Sequence, residues 1–515
     1  MQTHILIEEL EARRKEYLSA EEKKSADRQH RLGKNTARER LNMLLDADSF
    51  QEFGQLVQHR CTNFGQEKKR ILADAVVTGW GQVDGRPVFV FSQDFTAHGG
   101  TMGEMGAKKI CEILKRAETA GAPVIGFLDS GGARIQEGVD ALSGYGSIFF
   151  QTVRCSGKIP QISIVAGPCA GGATYSPELT DFIIMVDGTS QMFVTGPAVV
   201  KSISGESVTA EELGGARVHA TTSGVAHFLV QSEQQAVETA KRLLSYLPSN
   251  ADAVPPAVSR CVNKKPCPAL DDLTPMVLAR SYDILTVIDE IADPGSFLEV
   301  QALFAPNVVV GFARIGGRSV GIVANQPKHM EGFLDMDAAD KAARFIQFCD
   351  CFHLPLVTLV DVPGFRPGTE QEHAGIIRHG AKMLHAYAAS QVPKITIVLG
   401  KAYGGGYLAM CCKQLGADAV YAWPTGQIAV MSAESAVDVV FRKELALLSD
   451  PTAAKRRDEL LVHYKDMFDS PYLAAARGYV DEVIRPSETR ERILSSLCML
   501  EGKAQNGDRH RNMPL

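Results

Sequence analysis

Two stretches of this 515-residue chain repeat each other at a fixed distance. Gly79 matches Gly311, Gly85-Arg86 matches Gly317-Arg318, Lys109 matches Lys341, Pro123 matches Pro355, Asp129 matches Asp361 and Gly132 matches Gly364, every pair 232 positions apart. After one slip the offset becomes 233, and Pro160, Ile162, Ile164-Val165, Gly167 and Gly171-Gly172 match Pro393, Ile395, Ile397-Val398, Gly400 and Gly404-Gly405. A constant offset broken once marks a duplication, and its period is far too long for a solenoid. The chain therefore reads as two copies of one domain, expected at residues 1–254 and 255–515. A proline-rich stretch from Leu247 to Pro275 would form the crossing between them.

Each copy carries the same order of elements. A hairpin comes first, Val76–Gly79 and Pro87–Phe91 around Asp84-Gly85, or Val308–Val310 and Ser319–Val323 around Gly316-Gly317. A helical stretch follows, Met105 to Ala120 or Ala338 to Phe352. Next come a buried strand (Pro123–Leu128 or Pro355–Val360), a glycine-rich turn and a second helix. Another buried strand (Gln161–Val165 or Lys394–Leu399) leads to a second glycine-rich turn and a further helix. Alternating strands and helices imply an α/β fold with a mainly parallel sheet. Ahead of the first copy, residues 5–45 read as helix, with Arg38 and Arg40 on a solvated face. The polar tail from Gln505 to Leu515 is expected to fray.

Composition narrows the function. The net charge of −6 argues against a nucleic-acid binder. The eleven cysteines contain no CxxC pair, so reduced, buried thiols are expected and no metal site is called for. No run of 18 apolar residues occurs, and the start of the chain lacks an apolar leader, so no membrane span and a cytoplasmic location are expected.

The chemistry centres on the glycine turns. One pair follows the second buried strand of each copy, Ala170-Gly171-Gly172-Ala173 and Tyr403-Gly404-Gly405-Gly406. Ligands bind at the carboxyl ends of strands in open α/β sheets. Glycine admits positive φ and close backbone approach. The first amides of a helix are unpaired and favour negative charge. Together these features suit an oxyanion hole. The other turn, Asp129-Ser130-Gly131-Gly132-Ala133-Arg134, offers Gly131 and Gly132 N–H groups to a thioester or phosphate, and Arg134 either pairs with a phosphate or braces the loop. Glu137, Glu178 and His379 are candidate acid–base residues, with capping, ion-pairing or structural roles as the alternatives. GK[ST] and H-E-x-x-H signatures are absent.

The stretches Asp129–Gly138, Gly167–Ala173, Phe193–Pro197, Gly214–Ala216 with Thr222–His227, Asp361–Phe365 and Lys401–Gly405 resemble the carboxyltransferase (β) subunits of biotin-dependent acyl-CoA carboxylases of the propionyl-CoA carboxylase type. The resemblance covers residues from about 30 to about 500. It implies a tandem duplication of two crotonase-like domains, the first holding acyl-CoA and the second receiving carboxybiotin. It also implies a homohexamer, a trimer of dimers, with active sites where subunits meet. In such enzymes carboxybiotin releases CO₂, the biotin ureido nitrogen takes the substrate α-proton, and the thioester enolate attacks CO₂. Carried over, Gly171, Gly172 and Ala173 form one oxyanion hole and Gly405 and Gly406 the other. Gly131, Gly132, Ala133, Arg134, Tyr145 and Leu408 are then substrate-binding residues. The family usually has Ala at position 406, and its propionyl-preferring members have Asp at position 408, so Leu408 leaves the acyl chain open. No Met-Lys-Met biotin-attachment motif occurs, which implies a separate α subunit bearing biotin carboxylase and biotin carrier. The carboxyltransferase subunit of a biotin-dependent acyl-CoA decarboxylase is the alternative.

Overall fold

A computed structural model describes residues 2–19, 23–68, 73–258, 266–280, 282–448, 450–468, 470–503 and 510–514. Two compact units divide the chain: residues 1–254 with 510–514, and residues 255–509. Residues 259–265 of the proline-rich stretch, and 505–509 and 515 of the tail, lie outside the described residues.

The first unit is built on one sheet. Its strands are β1 (Gln51–Phe53), β2 (Val76–Val83), β3 (Arg86–Gln93), β4 (Val124–Ser130), β5 (Gln161–Ala170), β6 (Phe182–Val186), β7 (Gln191–Phe193) and β8 (Phe228–Val230). They lie in the order β1-β2-β3-β4-β5-β6-β8, with β7 beside the end of β5. The second unit uses β9 (Leu298–Val300), β10 (Val308–Ile315), β11 (Arg318–Asn325), β12 (Leu356–Val362), β13 (Lys394–Tyr403), β14 (Ala419–Ala422), β15 (Gln427–Ala429) and β16 (Glu482–Val483). Their order is β9-β10-β11-β12-β13-β14-β16, with β15 beside the end of β13. The two sheets thus share one topology strand for strand, and the fold is the crotonase-like α/β type. In each, the hairpin edge is antiparallel and the centre parallel.

Local chemistry explains these elements. The hairpins turn in two residues, with Val83 opposite Arg86 and Ile315 opposite Arg318. All seven positions of β4 and of β12 are buried, as a parallel strand covered on both faces requires. The helices Glu104–Ala120 and Val139–Cys155 pack on each other, and Ile110, Leu114, Tyr145 and Ile148 join Val124 and Leu128 in one core. In the second unit, Ile284, Ile288 and Leu494 close over Ile322, Val357 and Ile397.

Two expectations need correction. The single helix over residues 5–45 is three helices, Gln2–Ser19, Lys23–Arg31 and Ala37–Leu44. The third begins at a capping box: the Thr36 side chain accepts from Glu39 N, and the Glu39 carboxylate accepts from Thr36 N. The tail is not frayed at 510–514. Asn512 is buried and donates to Asp181 Oδ1 at 2.8 Å, and its carbonyl accepts from Ser156 Oγ at 3.1 Å. Among the described residues, no helix is long and apolar enough to cross a membrane.

Candidate active site

In both units the second central strand bends in the same place. β4 and β5 pair regularly up to Leu128 and Val165, then slip so that Ser130 faces Cys169. β12 and β13 pair up to Val360 and Val398, then slip so that Val362 faces Ala402. Beyond each bulge the chain enters a glycine corner. Gly171 has φ +62° and opens the 3-10 turn Gly171–Thr174; Gly404 has φ +53° and opens the helix Gly404–Ala409. A residue with a Cβ pays about 1–2 kcal/mol for that left-handed backbone.

The corners expose main-chain donors. The first amides of a helical turn have no partner within it. Among the described residues, no acceptor takes the N–H of Gly172, Gly405 or Gly406. The carbonyls are engaged instead: Thr174 Oγ1 donates to Gly171 O at 2.7 Å and Cys169 Sγ to Ala173 O at 3.2 Å. Gly171 and Gly172 are half-buried, Ala173 and Gly406 buried, and Gly405 exposed. Leu408 is 47% exposed on the helix that Gly404 opens.

The loop after the first strand packs on each corner. A Cβ at Gly132 would stand 2.9 Å from Ala170 O, and one at Gly406 would stand 2.8 Å from Gly364 Cα. Both loops are pinned alike: Met102 N donates to Gly132 O and Arg134 N to Met102 O, and Leu334 N donates to Gly364 O and Arg366 N to Leu334 O. These partners keep the 232-residue offset read in the sequence. The expectation that Gly131 and Gly132 offer free N–H groups is corrected here. Gly131 N donates to Gly99 O at 3.0 Å and Gly132 N to Ser130 Oγ at 3.1 Å.

Arg134 is buried, and of the two roles open to it the structure shows the brace. Its guanidinium pairs with Asp74, with Glu137 Oε1 at 2.7 Å and with Thr101 O at 2.9 Å. Glu137 also accepts from Glu104 N at 2.7 Å, so it caps and ion-pairs. The Asp74 loop has left-handed backbone at Ala73, Asp74 and Ala75, and buried Lys109 holds it by donating to Ala73 O and Val76 O. Lys341, its counterpart, donates to Gln301 O and Phe304 O. Burial pushes the Lys109 ammonium down to about 8 and that of Lys341 to about 7. Tyr145 is buried with its ring under Gly172, where a Cβ would lie 3.4 Å from Cδ2. Its hydroxyl faces Ser130 without a hydrogen bond of normal geometry, and burial pushes its pKa up. Glu178 ends the short helix Tyr175–Glu178, and His379 Nδ1 pairs with Asp340 at 2.7 Å.

Sequence reasoning missed two clusters, one in each unit. Arg40 is not on a solvated face: it is buried and contacts Asp129 Oδ2 at 3.0 Å, Glu233 Oε1 at 2.8 Å and Ala166 O at 3.2 Å. Lys34 Nζ lies 2.8 Å from Asp129 Oδ1. In the second unit Asp361 takes Arg280 at 2.6 Å, the Tyr282 hydroxyl at 3.0 Å and Lys401 N at 3.0 Å. Of these residues, Asp129 and Asp361 carried a sequence signal in the repeat, and Lys401 only as the start of a family-resembling stretch. Among the described residues, no three His, Cys, Asp or Glu side chains gather as a metal site.

The sequence family of the chain makes it an enzyme of the carboxyltransferase class. The chain belongs to the Carboxyl transferase domain family, which matches residues 28–513. It is 53% identical to the methylmalonyl-CoA carboxyltransferase 12S subunit of Propionibacterium freudenreichii subsp. shermanii, over 99% of this chain and 97% of that one. It is 51% identical to the propionyl-CoA carboxylase carboxyltransferase subunit of Haloferax mediterranei, over 99% of each chain. With the methylmalonyl-CoA decarboxylase subunit alpha of Propionigenium modestum it shares 52% identity, over 96% of this chain and 95% of that one. A crystal structure of transcarboxylase 12S, described as a hexamer with hydrolysed methylmalonyl-coenzyme A bound, superposes with a TM-score of 0.95 at 53% identity, covering 99% of this chain and 98% of that one.

Proposed function

We propose that the chain is the carboxyltransferase subunit of a biotin-dependent acyl-CoA carboxylase. It moves the carboxyl group of carboxybiotin to the α-carbon of a short- or medium-chain acyl-CoA, of the propionyl or acetyl type or with a longer or branched chain. The observation that carries this reading is the duplicated corner, with left-handed Gly171 and Gly404 at matched strand ends. Gly171, Gly172 and Ala173 receive the thioester oxygen as it gains charge, and Gly405 and Gly406 receive the ureido oxygen of biotin. One such amide donor is worth about 10²–10³ in rate. Biotin suits the second corner because Gly405 is exposed, and even a Cβ there would meet nothing nearer than the Phe365 ring at 3.8 Å. When bound, biotin supplies the carboxyl group and the base, which leaves position and electrostatics to the protein. The capped and ion-paired state of Glu137 supports that division of labour.

The acyl group lies over Ala133, the turn at Gly131-Gly132 and the Tyr145 ring, and Leu408 tunes chain length. Arg134 serves that pocket from behind. The subunit works as a homohexamer, a trimer of dimers, with a separate α subunit bearing biotin carboxylase and biotin carrier. Exposed apolar residues support assembly with further chains: Ile203 is 81% exposed on the helix Pro197–Ser204, which buries none of its residues, and Ile135 is 88% exposed. The free thiols of the described cysteines suit a cytoplasmic location.

The experiment is carboxylation by the reconstituted complex across acetyl-, propionyl-, butyryl- and branched acyl-CoA. Product with at least one chain length is expected, and none with any would overturn the reading. The relation to methylmalonyl-CoA decarboxylase subunit alpha favours one second reading, the same transfer run from carboxyacyl-CoA toward biotin in a decarboxylase. Partner capture separates the two, since a biotin carboxylase belongs only to the first.

A further inference from the structure

Each glycine corner stands on a buried carboxylate. Asp129 and Asp361 lie at the slip itself, between the last regular pairs, Leu128–Val165 and Val360–Val398, and the shifted ones, Ser130–Cys169 and Val362–Ala402. Both side chains enter the bulge that bends the neighbouring strand toward its corner. Gly167 and Gly400 lie in those bulges, and each lies against the carboxylate. A Cβ at Gly400 would stand 2.8 Å from both Asp361 oxygens, and one at Gly167 would overlap Asp129 Oδ1. Lys401 N, inside its bulge, donates to Asp361 Oδ1 at 3.0 Å, and Arg40 ties the first bulge by reaching both Asp129 and Ala166 O. The main-chain oxygen of each aspartate meets the preceding turn as well, since a Cβ at Gly100 would overlap Asp129 O and one at Gly332 would stand 2.8 Å from Asp361 O.

The counter-charges differ although the carboxylates match. Asp129 is met by Lys34 and Arg40, and Arg40 is shared with Glu233. Asp361 is met by Arg280 and the Tyr282 hydroxyl. Two cations face two anions in the first unit, and one faces one in the second. Cations and carboxylates balance in number within each cluster, so what the two clusters share is the placement of the carboxylate in its bulge. Keeping the carboxylate while changing its partners is what a common geometric duty requires.

We infer that Asp129 and Asp361 are positioning residues, one for each corner, which fill the strand bulge and thereby fix where the amides of Gly171-Gly172 and Gly405-Gly406 point. This rests on the proposed oxyanion role of the corners. Asparagine keeps the volume but turns an NH₂ group toward donors that the carboxylate accepts from, Lys34 and Arg40 in one unit and Arg280, the Tyr282 hydroxyl and Lys401 N in the other, so the bulge must shift to relieve it. Misplacing a reacting group by about 1 Å costs about 10² in rate, so both Asp129→Asn and Asp361→Asn should slow carboxyl transfer by about that factor.

The decisive readout is spectroscopic. The assembled protein is loaded with propionyl-CoA labelled with ¹³C at the thioester carbonyl, and the carbonyl band is followed by isotope-edited infrared difference spectra. In the unsubstituted protein the band should move to lower frequency than in free propionyl-CoA. Asp129→Asn should lose most of that shift and Asp361→Asn should keep it, whereas a merely structural pair would leave both variants alike. If Asp129→Asn does not fold, Lys34→Met takes its place, because Arg40 remains on the carboxylate, and it should lose part of the shift. A full shift in the folded Asp129 variant, or in the Lys34 variant standing in for it, overturns the inference. A missing shift in the unsubstituted protein would instead overturn the oxyanion reading itself, and the positioning role with it.

Discussion

Replacing Arg134 by Met tests whether the loop after β4 is braced or binds phosphate. The Arg134 side chain is 1% exposed, and its two carboxylate partners, Asp74 and Glu137, are 0% and 5% exposed. Those carboxylates stay fixed without it, because Gly106 N holds Asp74 Oδ2 and Glu104 N holds Glu137 Oε2, each at 2.7 Å. Methionine matches much of the volume, so packing changes little. Removing one partner of a buried ion pair costs about 3–5 kcal/mol, against about 0–1 for an exposed pair. The expected loss is therefore about 3–5 kcal/mol in the first unit. The two tryptophans, Trp80 and Trp423, fall one in each unit, so denaturant unfolding in a Trp423→Phe background reads the first unit through Trp80. Turnover is then compared for propionyl-CoA and for propionyl-pantetheine, which lacks the phosphates. A brace predicts the same fractional loss of kcat/KM on both. Unchanged stability with a loss confined to the CoA thioester would refute the brace.

Gly171→Ala should cost about 1–2 kcal/mol from its positive φ alone, since the nearest atom to an added Cβ is Val194 O at 3.9 Å. Its turnover should fall with it, and an unchanged rate would detach this corner from the chemistry. Lys341 sits near 7 when folded and near 10.4 when unfolded, so the unfolded chain binds the extra proton between those values and stability rises with pH there. From pH 7 to 9 the gain is about 2 kcal/mol in urea unfolding, and Lys341→Met should abolish that share of it. Leu408→Asp should move acyl preference toward propionyl-CoA by about 10–200-fold in relative kcat/KM, and unchanged ratios would remove position 408 from selection.

The elements that follow hydrophobic period and glycine spacing were legible without coordinates. The repeat at Asp129/Asp361 and Gly171/Gly404 gave the two sheets and the turns at their strand ends. The Thr36-Ala37-Arg38-Glu39 spacing carried a capping-box signal that a long helical reading passed over. Arg40 had no such signal, because its partners Asp129 and Glu233 lie 89 and 193 residues away, and pairing across such distances leaves no local pattern. The same holds for Asp74 with Arg134, 60 residues apart, and for Asn512 with Asp181, 331 apart. Whether a glycine amide is free or tied is likewise a tertiary fact: Gly131 and Gly132 resemble Gly171 and Gly172 in sequence, yet Gly99 O and Ser130 Oγ take their donors.

The most direct measurement incubates the purified chain with methylmalonyl-CoA and free biotin and follows propionyl-CoA release. Loss of carboxylate should depend on biotin, and removing one corner amide by Gly172→Pro or Gly405→Pro should slow it by about 10²–10³. Release that ignores biotin, or that proceeds at the full rate with both prolines in place, would contradict the account.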